Sequence, residues 1–93
     1  MTLLLKDPDA VLDYAVDWAA DYLDGDTLSE SGWSVDPDEP GGVSVVSHNF
    51  EPGLAVVQAG GGIAGRIYRL TNHIGLASGR EDSRSILLRV EKR

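Results

Sequence analysis

Gly60-Gly61-Gly62-Ile63-Ala64-Gly65-Arg66-Ile67-Tyr68-Arg69-Leu70-Thr71-Asn72-His73-Ile74-Gly75-Leu76-Ala77-Ser78-Gly79-Arg80-Glu81-Asp82-Ser83-Arg84-Ser85-Ile86-Leu87-Leu88-Arg89-Val90 decides the fold class. It reads as a glycine turn, a strand, a second turn and a final strand. Tyr68, Leu70, Asn72 and Ile74 fall on one face of the first strand, and Ile67, Arg69, Thr71 and His73 on the other. Ile86, Leu88 and Val90 repeat the pattern against Ser85, Leu87, Arg89 and Glu91. A period of two places one face in a core and the other in water.

The same punctuation runs backward from this hairpin. Leu54–Ala59 and Val43–Ser47 read as strands, separated by a turn at His48-Asn49-Phe50-Glu51-Pro52-Gly53. Asp36-Pro37-Asp38-Glu39-Pro40-Gly41-Gly42 is a loop of helix and strand breakers. Thr27–Glu30 begins a further strand, and Ser31-Gly32 reads as a bulge, because Trp33 and Val35 regain an inward phase only if one residue is skipped. Residues 11–23 fit two periods. Leu12, Tyr14, Val16 and Trp18 alternate as a strand, while Val11, Tyr14, Ala15, Trp18, Ala19 and Tyr22 also satisfy helical spacing. The all-β remainder favours a strand through about Trp18 and an irregular or helical piece over Ala19–Leu23. Asp24-Gly25-Asp26 is a turn, and residues 1–10 read as a lead-in with a turn at Asp7-Pro8-Asp9. The sum is an all-β, Ig-like antiparallel β-sandwich of about seven short strands, forming a single domain over residues 1–93. Gly65-x-x-Tyr68, a tyrosine after a glycine turn at the head of the penultimate strand, sits where a tyrosine corner belongs, with an ordinary core tyrosine as the plainer reading.

Ninety-three residues sustain one modest core and leave no room for a doubly wound nucleotide fold or a barrel enzyme. The formal net charge of −7 opposes binding to nucleic-acid phosphates. With no cysteine, disulfides and thiolate metal sites are excluded. Leu3-Leu4-Leu5 is too short for a signal segment or a membrane span.

No chemical motif survives close reading. Gly60-x-Gly62-x-x-Gly65 spells a dinucleotide fingerprint, but the fingerprint needs a following helix to receive the pyrophosphate, and Arg66–Ile74 is strand-patterned. His48 falls in a turn and His73 on a polar strand face, with no nucleophile motif beside either. The acidic sets Asp7/Asp9, Asp24/Asp26 and Asp36/Asp38/Glu39 lack the spacing of a calcium loop, although end loops of Ig-like domains can hold ions. Trp18, Trp33, Tyr14 and Tyr68 would form a sugar-stacking platform if exposed, but alternate inward in this reading. The expectation is therefore no catalytic, cofactor-binding or metal-ligating residue and no cofactor.

Lys6-Asp7-Pro8-Asp9-Ala10-Val11-Leu12-Asp13-Tyr14, Asp17-Trp18, Gly25-Asp26-Thr27-Leu28 and Trp33-Ser34-Val35 resemble the opening of a family of tailed-phage virion-associated Ig-like proteins of the fibre-tail adaptor type. Ala59–Asn72 and Ser78–Ser85 resemble its closing half. The chain departs from the family pattern at Ala19-Ala20-Asp21-Tyr22 and in the acidic Asp36–Glu39 loop. The resemblance implies a strand over residues 11–18 and a non-enzymatic adaptor in the tail, neck or fibre attachment of a phage or prophage virion. It also implies other virion proteins as partners and production in the host cytoplasm. No nucleic acid, membrane or small-molecule substrate is expected. Candidate contact surfaces are the outward face carrying Asp13 and Asp17, the 36–39 loop and unpaired sheet edges. The alternative reading is a carbohydrate- or surface-binding Ig-like module, and a calcium-dependent spacer or a small enzyme are more distant ones.

Overall fold

The strongest alternation in the chain becomes its central hairpin. In a computed structural model, which describes residues 2–20 and 25–92, β6 (Ile67–Leu76) and β7 (Glu81–Val90) pair antiparallel from Ile67↔Arg89 to Gly75↔Glu81. Tyr68, Leu70, Ile74, Leu88 and Val90 are fully buried, while Ile67, Arg69, His73 and Arg89 face out, as the period of two requires. Around the hairpin stand β1 (Thr2–Lys6), β2 (Leu12–Asp17), β3 (Leu28–Asp36), β4 (Val43–Glu51) and β5 (Leu54–Gly61). They form two sheets, ordered β1-β7-β6-β3 and β2-β5-β4, whose inner faces share one core. The fold is the expected all-β sandwich of seven strands. Strands two, five and four against three, six and seven is the Ig-like division.

The ambiguous segment 12–17 is a strand because β5 gives it a ladder, with Tyr14 opposite Val57 and Val16 opposite Ala55. A helix there would have left the apolar edge of β5 bare. The turn over residues 19–20 matches the irregular end expected, and Asp21–Asp24 lie outside the described residues.

Four local expectations are corrected. Residues 2–6 are not a lead-in but an edge strand, and β1 runs parallel to β7, so the sandwich is not wholly antiparallel. Three successive leucines carry no period, which hid the strand; in place, Leu4 turns to the core while Leu3 and Leu5 face water. The bulge in β3 lies between Leu28 and Glu30 rather than at Ser31-Gly32. One residue is skipped as foreseen, but two positions earlier, so Ser31, Trp33 and Val35 share the inner face. The turn expected over His48–Gly53 shrinks to Pro52-Gly53, because His48–Glu51 pair with Val57–Leu54 and cross-strand bonding overrides weak strand propensity. β5 also continues past Ala59 to Gly61, opposite Val43.

The glycine run after β5 is a tight corner. Gly61 and Gly62 have φ of +74° and +117°, and a Cβ on Gly62 would lie 2.7 Å from Val90 Cγ2. Close packing and left-handed backbone explain the fingerprint-like spacing. No phosphate cradle is needed.

Candidate contact surfaces

The chemistry-bearing side chains gather at the two ends of the sandwich and on its two outer faces. At one end β1 delivers Lys6 inward, where the side chain is fully buried. Its ammonium donates to the carbonyl oxygens of Asp7 (2.9 Å), Ala10 (2.6 Å) and Gly61 (2.6 Å). The three N–H donors of the ammonium are thereby matched. Burial lowers the pKa of Lys6, partly countered by the negative charges of Asp7 and Asp9. Because Gly61 ends β5 and Lys6 ends β1, this one cation ties the two sheets together.

Beside it, the tyrosine corner foreseen at Tyr68 is present. The buried hydroxyl accepts a bond from the Ile63 N–H at 3.2 Å and donates to Glu39 Oε1 at 2.7 Å. Burial, aided by the bond to Glu39, raises the pKa of Tyr68. Glu39 also meets Arg66 at 3.3 Å, so this carboxylate of the 36–39 loop is drawn against the domain rather than presented to a partner. Leu70, two residues after Tyr68, stands where antibody domains carry their second cysteine, and here no disulfide joins the sheets.

The opposite end is held on the surface. Asp26 accepts bonds from Ser78 Oγ at 2.6 Å and Arg80 at 3.0 Å, and these hold its pKa down to about 2. In the core, Trp18 Nε1–H donates to Asn72 Oδ1 at 2.9 Å, and Asn72 donates to Ser31 Oγ and the Gly32 carbonyl. That network explains why a polar residue occupies the inner face of β6. The Arg84 guanidinium lies 4.6 Å above the Trp18 ring.

His73 meets a hydroxyl and a carboxylate that sequence reasoning did not pair with it. Ser83 Oγ lies 2.8 Å from Nδ1 and Glu81 Oε1 lies 2.9 Å from Nε2. The groove beside the imidazole, of about 250 Å³, is lined by Glu30, Ser31, Gly32 and His73. The side chains of His73 and Glu81 are 54% and 64% exposed, however. β6 lies between β7 and β3, so its backbone N–H groups serve the ladders and are not aimed at a developing oxyanion. The trio therefore lies on an open strand face rather than in an enclosed site. His48 lies exposed on β4, away from this group.

Of the acidic sets, Asp7, Asp9, Asp26 and Glu39 serve as turn residues or ion-pair partners, while Asp24 lies outside the described residues. Asp7 accepts the Asp9 N–H, and Asp9 meets Lys92 at 3.0 Å. Among the described residues no three His, Asp or Glu converge on a cation-sized site. Trp18 is fully buried, which removes it from any sugar platform, and Trp33 packs half-buried against the core.

The outer faces differ in character. On the four-stranded sheet the ladders set Leu5, Arg89 and Ile67 in one row and Leu3, Leu87 and Arg69 in the next. Leu3, Leu5 and Ile67 are each about half exposed. On the three-stranded sheet the rows are Asp17–Leu54–Glu51, Ala15–Val56–Asn49 and Asp13–Gln58–Ser47. Asp13, Asp17 and Glu51 are exposed around a small aliphatic centre. Asp13 and Asp17 thus stand exposed on the outer face, as their phase in the strand requires.

Residues 6–89 match the family model of the podophage GP4 fiber-tail adaptor protein gp77. The chain belongs to this family. No curated protein matches it. Membership places the chain among structural adaptors of phage tails, as the resemblance of its opening and closing halves implied. What sequence reasoning missed is the apolar patch of Leu3, Leu5, Ile67 and Leu87 on one outer face. Its leucines come from a strand without alternation, and only their ladder with β7 reveals the patch.

Proposed function

We propose that the chain is a non-enzymatic adaptor of the virion tail, joining tail and fibre components through surface contacts alone. The observation that carries this reading is the match over residues 6–89 to a fibre-tail adaptor family by a sandwich whose distinguishing chemistry lies on its outer faces. A binding module without an enclosed site works by presenting rigid sheet faces, end loops and edges. The acidic surface, with a net charge of −7, favours protein partners over nucleic-acid phosphates. Residence in the virion after synthesis in the host cytoplasm follows from the same role.

The test is co-purification of the tagged chain with the tail and fibre proteins of its own phage. Retention of both by the wild type supports the reading. Loss of fibres from particles assembled without the chain supports it further. Particles that carry fibres and infect normally without it would overturn it. Hydrolase assays with ester and peptide substrates, comparing wild type with His73→Ala, address the His73 trio, and no difference between them is expected.

A further inference from the structure

We infer that the outer edge of β2 docks one extended segment of a partner protein, whose basic residues stand four positions apart. The inference rests on the adaptor reading and deepens it by naming the chemistry of that segment. β2 ends its sheet and has a ladder on one side only, with β5. In an antiparallel pair alternate residues exchange both backbone bonds, so three of its six residues aim their N–H and C=O groups away from β5. Among the described residues no strand takes up those groups, because β1 joins β7 instead. The far edges are less available. β3 and β4 lie against each other, and each carries a bulge, whereas β2 runs along β5 without a break. The edge of β1 is open too, but its five residues set only Leu3 and Leu5 outward and select no partner by charge.

The side chains of β2 specify what the incoming strand carries. Asp13, Ala15 and Asp17 are exposed on the outer face. Neither Asp13 nor Asp17 forms an ion pair among the described residues. No Lys or Arg occurs in β2, β4 or β5, and the cations that do form pairs, Arg66, Arg80, Arg89 and Lys92, stand on or beside β6 and β7. A strand laid along β2 is therefore favoured by cations opposite Asp13 and Asp17, about 14 Å apart, with a small residue between them opposite Ala15. On the inner phase Leu12 is 39% exposed and Tyr14 is half-buried, so the core is not sealed along this edge. Aliphatic residues at the intervening positions of the segment would cover both. A second copy of β2 does not fit, since full antiparallel overlap sets Asp13 against Asp17 twice. Six paired residues run about 20 Å, the footprint of one peptide segment rather than of a domain face. Such a contact is weak alone and is strengthened by repetition in an assembly.

The probe is the synthetic peptide Val-Lys-Val-Thr-Val-Lys-Val, which reads the same in either direction and so fits both strand orientations. Titration into the isotope-labelled full chain, to about 2 mM peptide, is followed by NMR. Shifts centred on residues 12–17 are expected, with slowed exchange of the β2 edge amides and binding that weakens several-fold as salt rises. The same peptide with Glu for Lys should bind at least tenfold more weakly. So should the Lys peptide N-methylated through its central three residues, which keeps the charge and removes the ladder. Asp13→Lys with Asp17→Lys should exchange the preference of the chain from the Lys peptide to the Glu peptide. Asp17 also accepts the Ala20 N–H, so melting checks that this variant is folded, and the two altered peptides test the wild type without it. Absence of shifts at the highest concentration would overturn the inference. So would shifts centred on β1 or the four-stranded face, or binding indifferent to the Glu exchange or to methylation. The co-purification with tail and fibre proteins is read separately, so the adaptor reading can stand where the β2 edge fails.

Discussion

The two ends of the sandwich are both stitched by polar side chains, yet they are built on different physical terms. At the end where β1, β5 and the 36–42 loop meet, Lys6 and Tyr68 are fully buried and their bonds replace water that cannot reach them. At the other end Asp26 is 11% exposed but its partner Arg80 is 57% exposed, so water competes for the cation of the pair. The comparison teaches that burial, not the number of ion pairs, decides what a polar contact is worth.

The largest effect should come from Lys6→Met, which leaves three carbonyl oxygens without their donor. A loss of about 3 kcal/mol or more in urea unfolding is expected, because removing one partner of a buried charged network costs more than the network contributes. A loss below about 1 kcal/mol would erase the distinction between the ends. Tyr68→Phe removes the hydroxyl that joins Ile63 to Glu39, and should cost about 1–2 kcal/mol by the same measurement.

The exposed end should show itself through pH instead. Asp26 has a folded pKa of about 2 against an ordinary 3.8. As pH falls from about 4 to about 2, the unfolded chain takes up the proton first, so this carboxylate's contribution is present above that window and lost within it. Melting curves at pH 7, 4 and 2 should show a steeper acid decline for wild type than for Asp26→Asn. Equal declines would mean that the surface network contributes nothing to stability.

The smallest effect is expected for Tyr14→Phe. The Tyr14 hydroxyl is buried without a hydrogen-bond partner among the described residues, and burial raises its pKa. Its removal should change stability by no more than about 0.5 kcal/mol, or stabilise the chain slightly, since no bond is lost and a desolvated group is relieved. Set beside Tyr68→Phe, it separates the value of a tyrosine ring from the value of its hydroxyl.

Much of this architecture was legible before folding was considered. Tyr68, Leu70, Ile74, Leu88 and Val90 announce their face by alternation, whereas Gly65-x-x-Tyr68 fitted a corner or an ordinary core tyrosine until the bond to Ile63 decided it. Where the reading slipped, the missing information was the partner strand. His48–Glu51 look like a turn until β5 offers them a ladder, and Leu3–Leu5 have no period until β7 assigns each residue a side. The contact surfaces divide the same way. Asp13 and Asp17 are visible as the polar phase of an alternating strand, whereas the patch of Leu3, Leu5, Ile67 and Leu87 joins residues more than sixty positions apart. The His73–Glu81–Ser83 trio likewise depends on the register of β6 against β7.

By itself, then, the sequence determined the class of structure, the location of the core and the kinship with phage tail adaptors. Strand periodicity, glycine corners and the family pattern are all local properties of the chain. Only the tertiary structure decided that β1 joins the sheet of β7, that Lys6 closes one end of the sandwich and that Leu3, Leu5, Ile67 and Leu87 meet on one outer face. Those outcomes depend on which strands become neighbours, a choice made by long-range burial and hydrogen bonding rather than by any residue's own preference.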